Sequence, residues 1–216
     1  MRGSIRLGAS LVLIPFALAC SSEADAGGSG EAAEETAAVE QTTAAAQGVA
    51  CSPMTSNMPV EGRASPYDST LITLGGRTAK ICYGRPSSRG RTMIGGESVP
   101  YGQLWRTGAN EPTTIHLPFA AEIAGVRVEP GSYSLYTMPG LEQWVVIVNR
   151  SITQWGHEGR YTAEVRAQEV GRGTAPATRT QGHVEQFTIS SEPAADGAAL
   201  ILEWENTRVT IPVRAR

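Results

Sequence analysis

Residues 132–149 read SYSLYTMPGLEQWVVIVN, two β-forming runs on either side of Pro139-Gly140. Proline presets φ and has no amide donor, and glycine accepts positive φ, so the pair marks a chain reversal between two strands. In the second run, Trp144-Val145-Val146-Ile147-Val148, apolar side chains occupy consecutive positions. Side chains alternate across a strand, so both faces of this one need cover. That places it centrally in a sheet with material on each side.

The same pattern extends outward. Runs at 69–74 and 78–83 flank Gly75-Gly76, a hairpin signal. Residues 113–117 set Ile115 and Leu117 on one face and Thr114 and His116 on the other. Short runs at 120–124 and 126–128 lead into the turn Glu129-Pro130-Gly131. Further on, 161–169 alternates weakly, and Val184, Phe187 and Ile189 mark another strand. Runs at 200–204 and 208–213 read as two strands joined by a turn at Glu205-Asn206-Thr207. About nine short strands separated by turn signals predict an all-β fold, an antiparallel sandwich or a partly open barrel. The 24 glycines and 13 prolines among 216 residues argue against a helical bundle. A net charge of −3 excludes a generally basic nucleic-acid binder, so no nucleic-acid partner is expected.

Residues 1–19 read as a secretory signal peptide: Arg2 and Arg6 precede an apolar run too short to span a bilayer, and it ends in small residues. Ala17-Leu18-Ala19-Cys20 resembles the lipobox of bacterial lipoproteins. That resemblance implies an acylated Cys20, a membrane partner through it, and a place in the cell envelope as a periplasmic or outer-membrane lipoprotein. Ordinary signal cleavage with a free Cys20 is the alternative. Residues 20–50 form an acidic tether rich in Ala, Glu, Gly, Ser and Thr. Its charges are Glu23, Asp25, Glu31, Glu34, Glu35 and Glu40, and it has too few apolar groups to offset the entropy of ordering. Residues 51–216 are left as the folded domain. An exported compartment permits a Cys51–Cys82 bridge, which would close a loop of about 30 residues. The other arrangement has Cys82 buried and Cys51 solvated.

Residues 85–112, RPSSRGRTMIGGESVPYGQLWRTGANEP, break the strand rhythm. So long a connection inside a compact domain is functional or disordered. Met93, Ile94, Tyr101, Leu104 and Trp105 need cover, so an ordered loop lying over one end or face of the sandwich is expected.

Arg85-Pro86, Gly90-Arg91, Val99-Pro100-Tyr101-Gly102 and the run Trp105-Arg106-Thr107-Gly108-Ala109-Asn110-Glu111 resemble the core motif of a bacterial family, DUF2911. The likeness continues through Pro130-Gly131-Ser132-Tyr133-Ser134-Leu135, Gln154-Trp155-Gly156 and Leu202-Glu203-Trp204-Glu205-Asn206-Thr207. It implies an exported or lipoprotein domain and carries no known activity with it.

The candidate ligand-binding residues are Arg85, Arg91, Tyr101, Trp105, Arg106, Asn110 and Glu111. Guanidiniums pair bidentately with carboxylate or phosphate, so the ligand expected is small and polar or anionic: a glycan, a peptide, a carboxylate or a phosphate. The competing arrangement pairs Arg91 and Arg106 with Glu111 and backbone carbonyls, with Trp105 packed underneath. His116, His157 and His183 lie in separate elements without metal-ligand spacing, so no metal is expected. Glu203 and Glu205 read as a solvated strand face. Neither a nucleophile elbow, a Walker loop nor a dinucleotide fingerprint occurs, so no cofactor is expected. A binding or structural module is favoured over an enzyme. The alternatives are an envelope hydrolase using Glu111, His116 or an unrecognised metal, and an accessory subunit docking another envelope protein through a flat sheet face.

Overall fold

The structure, a computed structural model, describes residues 49–216, residue 57 excepted. The expected signal peptide, Cys20 and nearly all of the tether lie outside the described residues. Two hairpin strands open the domain, β1 (Tyr67–Leu74) and β2 (Arg77–Gly84), turning at Gly75-Gly76. The long loop then leads to β3 (Thr113–Leu117) and the short hairpin β4 (Ala121–Ile123) and β5 (Val126–Val128). The hairpin around Pro139-Gly140 supplies β6 (Gly131–Met138) and β7 (Gln143–Asn149). A 3-10 turn (Glu158–Arg160) and a one-turn helix, α1 (Ala163–Arg166), precede β8 (Glu169–Ala194) and β9 (Gly197–Ala215).

These nine strands are antiparallel, ordered β1-β2-β3-β6-β7-β8-β9-β4-β5, and do not close into a barrel. The fold is the all-β sandwich that the sequence pattern predicts. Its corner is β8: the beginning of this strand pairs with β7, from Asn149↔Glu169 to Gln143↔Pro176. Its remainder pairs with β9. One strand therefore belongs to both layers, and β9 carries the β4–β5 hairpin at its far end through Ala121↔Ala215.

Two local expectations are corrected. The turn at Glu205-Asn206-Thr207 is absent, because β9 runs straight through it. Glu205 instead takes φ +53° inside the strand, at a shift in the β8–β9 register. The even-numbered Leu200, Leu202 and Trp204 and the odd-numbered Val209, Ile211 and Val213 are all buried. A bulge that switches the alternation lets both sets meet one core. The strand expected at 161–169 is α1 with its flanks. Thr162 caps it, Oγ1 accepting from the Val165 amide, and Val165 is the buried residue that holds the turn down.

The main core lies between the layers. At its centre Trp105, Trp144, Phe187 and Trp204 meet with ring centroids 5.2–5.9 Å apart, and Tyr83 joins edge-on to Phe187. Strand β7 is covered on both faces, as its apolar run demands. Trp144, Val146 and Val148 enter the main core, while Ile147 packs with Tyr136, Tyr161 and Val165 in a second cluster. Full burial of a side chain such as Ile147 contributes about 1.5–3 kcal/mol.

The segment before β1 is bound to this frame by a Cys51–Cys82 disulfide, Cα–Cα 5.8 Å, and by Lys80 Nζ donating to the Val49 carbonyl at 2.8 Å. This corrects the expected membrane partner. The two described cysteines are joined to each other, so neither is free for acylation; Cys20 lies outside the described residues.

Candidate functional site

The long loop is ordered because other elements occupy its backbone groups. The Phe187 amide of β8 donates to the Pro86 carbonyl at 2.8 Å, and the Ser88 amide donates to Glu185 at 2.9 Å. Trp105 exchanges both backbone hydrogen bonds with Thr137 of β6, at 2.7 and 2.9 Å. Gly102 donates to the Pro139 carbonyl in the β6–β7 turn at 2.8 Å. Glu205 holds the middle, its two carboxylate oxygens accepting from the Met93 and Ile94 amides at 3.0 and 2.8 Å. Expected on a solvated face, Glu205 is instead the clasp of the loop. Glu203 pairs with Arg208 at 2.8 Å.

Of the seven candidate ligand residues, most are committed to the fold. Trp105 is buried in the aromatic core. Arg85 donates to Asp68 at 2.9 Å, to Thr188 Oγ1 at 3.1 Å and to the Phe187 carbonyl at 3.3 Å. Arg91 donates to the carbonyls of Ser88 and Ser87 at 3.0 and 3.2 Å. Asn110 takes φ +67°, which Asn tolerates, and its carbonyl accepts from Gly156 at 2.9 Å. Glu111 is buried, and its partner is Arg63 rather than Arg91 or Arg106. Arg63 Nη1 donates to both carboxylate oxygens at 3.0 and 2.9 Å. The remaining donors of Arg63 go to the Pro59, Met58 and Met54 carbonyls, and the Met54 amide donates to Glu111. The pair is fully satisfied within the protein.

Arg106 differs. Of the four loop arginines it alone donates no hydrogen bond from its guanidinium to a described residue. Arg89 meets the Ala64 carbonyl, but Arg106 only faces Glu158 at 3.8 Å, and its buried Nε has no acceptor. Its side chain keeps 24% of its exposure. Glu158 lines a groove of about 320 Å³ with Glu97, Ser98, Gln103, Tyr161 and Arg166. Tyr101, also exposed, lines another groove of about 380 Å³ on the loop's other neighbours.

The histidines do not converge. His116 Nδ1 lies 2.7 Å from Ser132 Oγ, across neighbouring strands. Burial, and secondarily Lys80, holds its imidazole below the ordinary value. His157 caps the 3-10 turn, Nδ1 accepting from Gly159 at 3.1 Å. His183 Nε2 faces both Ser88 Oγ and Glu185 Oε2, at 3.4 and 3.3 Å. One nitrogen contacting both partners does not form a relay in which imidazole stands between serine and acid. Ser88 is fully buried and donates to Glu185, which also accepts from the Arg89 amide. These hydrogen bonds, Ser88 first, hold the Glu185 carboxyl below its usual range. Among the described residues no group of three or more His, Cys, Asp and Glu is placed to hold a metal ion.

Sequence reasoning missed Arg63 and Glu158. Arg63 sits in a stretch without strand periodicity, and only the need of a buried Glu111 for a cation could have pointed to it.

The fold and the clasped loop define an open all-β sandwich, disulfide-pinned at its N-terminal side, with a loop arginine, Arg106, whose buried Nε has no acceptor among the described residues. The chain belongs to the DUF2911 family, whose description is "Protein of unknown function" and which matches residues 65–213. No curated protein and no solved structure matches it.

Proposed function

We propose that the chain is an exported bacterial binding module that takes a small anionic ligand, a carboxylate or phosphate, at Arg106. The Cys51–Cys82 disulfide supports export, since such bridges persist in oxidising compartments. Residues 1–19 are then its leader and residues 20–50 the tether of the folded domain. The observation that carries the ligand is the unmet hydrogen-bonding capacity of Arg106. A guanidinium presents a planar fork of donors, and a carboxylate or phosphate beside its partly exposed Nη groups supplies acceptors that Glu158 is too distant to provide. Glu158 is the resident counter-ion, too distant at 3.8 Å for a hydrogen bond.

Thermal shift and calorimetry of the full chain with citrate, succinate and inorganic phosphate test the proposal. Binding of at least one, lost in Arg106→Gln and strengthened in Glu158→Gln, is expected. No binding, or binding indifferent to Arg106→Gln, overturns it.

One observation favours a hydrolase instead: Ser132 Oγ lies within hydrogen-bonding distance of a His116 held toward its neutral form. A fluorophosphonate probe separates the two readings. The binding module leaves Ser132 unlabelled, whereas labelling abolished by His116→Ala replaces it with the hydrolase.

A further inference from the structure

The groove bearing Tyr101 has no part in the Arg106 proposal and a different chemistry. Its walls are the long loop (Ile94, Tyr101), the β6–β7 turn (Leu141) and the facing stretches of β8 and β9 (Arg179, Glu205, Asn206). At about 380 Å³ it falls at the small end of the roughly 300–1,000 Å³ typical of ligand clefts. Most large apolar side chains are buried, yet Tyr101 is 44% exposed and Leu141 77% exposed here.

The tyrosine also has a flat seat. Its ring lies against Gly95, where an added Cβ would stand 2.3 Å from Tyr101 Cε2. The surrounding backbone is tied down on three sides: Gly102 to Pro139 at 2.8 Å, Ala177 to Glu142 at 2.8 Å, and Met93 and Ile94 to the Glu205 carboxylate. An exposed aromatic ring carried on a backbone already tied down leaves less of the loop to order on binding. Thr92, Thr178, Thr207 and the exposed Asn206 line the same groove. The charges lining it, Arg179 and Glu205, are opposite in sign, so the groove selects for neither anion nor cation.

An exposed aromatic ring and an aliphatic side chain among neutral hydroxyl- and amide-bearing residues match one ligand chemistry. A pyranose has an apolar C–H face and a rim of hydroxyls. An extended peptide fits less well. It would seek free backbone amides, and the Met93, Ile94 and Gly102 amides already donate inward. We propose that this groove is a glycan-binding subsite, in which an uncharged sugar residue stacks on Tyr101 and its hydroxyls are met by Asn206, Arg179 and the threonines.

The test is calorimetry and saturation-transfer NMR of the full chain with cellotetraose, chitotetraose and mannotetraose, and with tetra-alanine as the peptide probe. At least one tetrasaccharide binds, with about a tenfold loss of affinity in Tyr101→Ala and recovery in Tyr101→Trp. Asn206→Ala weakens it too, and Arg106→Gln leaves it unchanged, so this site and the anion site stand or fall separately. Absence of binding to all three sugars, sugar binding indifferent to Tyr101→Ala, or tetra-alanine as the Tyr101-dependent ligand overturns the proposal.

Discussion

Glu111 and Arg63 have side chains 5% and 0% exposed, and Arg63 Nη1 donates to both carboxylate oxygens of Glu111. A buried ion pair contributes little net stability because desolvating both charges offsets their attraction, yet removing one partner strands the other. Glu111→Ala is therefore expected to lower unfolding free energy by about 3–5 kcal/mol in urea titrations. The double variant Arg63→Met with Glu111→Leu is expected to lose less than Glu111→Ala alone. A double variant that loses more would mean that the pair and the carbonyls Arg63 also serves, and not the stranded charge, carry the stability. His116 gives a residue-level pH dependence. Burial, then Lys80, lowers its pKa from 6.5 in the folded state, so between that lowered value and 6.5 the unfolded chain binds a proton that the folded chain does not. Stability then rises with pH through this window and falls as the solution is acidified below 6.5. Urea midpoints from about pH 5 to about pH 8 are expected to slope less in His116→Gln than in the parent; equal slopes assign the acid sensitivity to other groups.

The elements legible in the sequence were those whose periodicity is local. Strands β1, β2, β3, β6 and β7 follow from alternation and from glycine or proline turns, and the two-sided cover of β7 follows from its consecutive apolar residues. Strand β9 reads as two strands because a bulge and a turn leave the same sequence trace, a switch from even to odd apolar positions; only the partner strand separates them. The site was half legible for a related reason. That residues 85–112 form an ordered loop follows from the apolar side chains they must bury. Which arginine stays unsatisfied depends on acceptors contributed by distant elements, and no pattern within the loop encodes them. The loop's own order depends on the Glu205 clasp, where a carboxylate accepts two backbone amides. Hydrogen bonds to a charged group contribute about 1.5–3 kcal/mol each when partly buried. Glu205→Gly accommodates the φ of +53° and deletes the carboxylate, so it isolates the clasp from backbone strain. Limited proteolysis is expected to cut residues 89–98 faster in this variant than in the parent, with β-sheet circular dichroism preserved. An unchanged cleavage rate would place the loop's order in the packing of Met93, Ile94 and Trp105 instead.

At the scale of the molecule, the two layers are held in register by β8, which leaves one sheet and enters the other. The layers approach closely along β8. An added Cβ on Gly171 would stand 3.1 Å from Val126 Cγ1, while one on Gly173 would stand 1.8 Å from the Ala124 carbonyl oxygen. The first contact yields by a small side-chain movement. The second meets backbone, and that backbone cannot retreat freely: Ala124 donates to the Pro212 carbonyl at 2.8 Å, and Ala121 to Ile123 are paired with β9. Gly173→Ala must therefore push the β4–β5 hairpin, and β9 with it, away from β8. Overpacking of this kind typically costs 1–3 kcal/mol, and a backbone clash belongs at about 3 kcal/mol. Gly182 lies in the same strand with nothing within 4 Å of an added Cβ. Gly182→Ala is accordingly expected to change stability by no more than about 0.5 kcal/mol. Because β8 joins both layers, loss at Gly173 is expected to propagate through the whole domain. Circular dichroism, which reports the sheets, and tryptophan fluorescence, which reports the cluster between them, should lose signal in one shared transition at a lower urea concentration. Two separated transitions in Gly173→Ala would show that the layers unfold independently, and equal stability of the two alanine variants would show that the hairpin yields without strain.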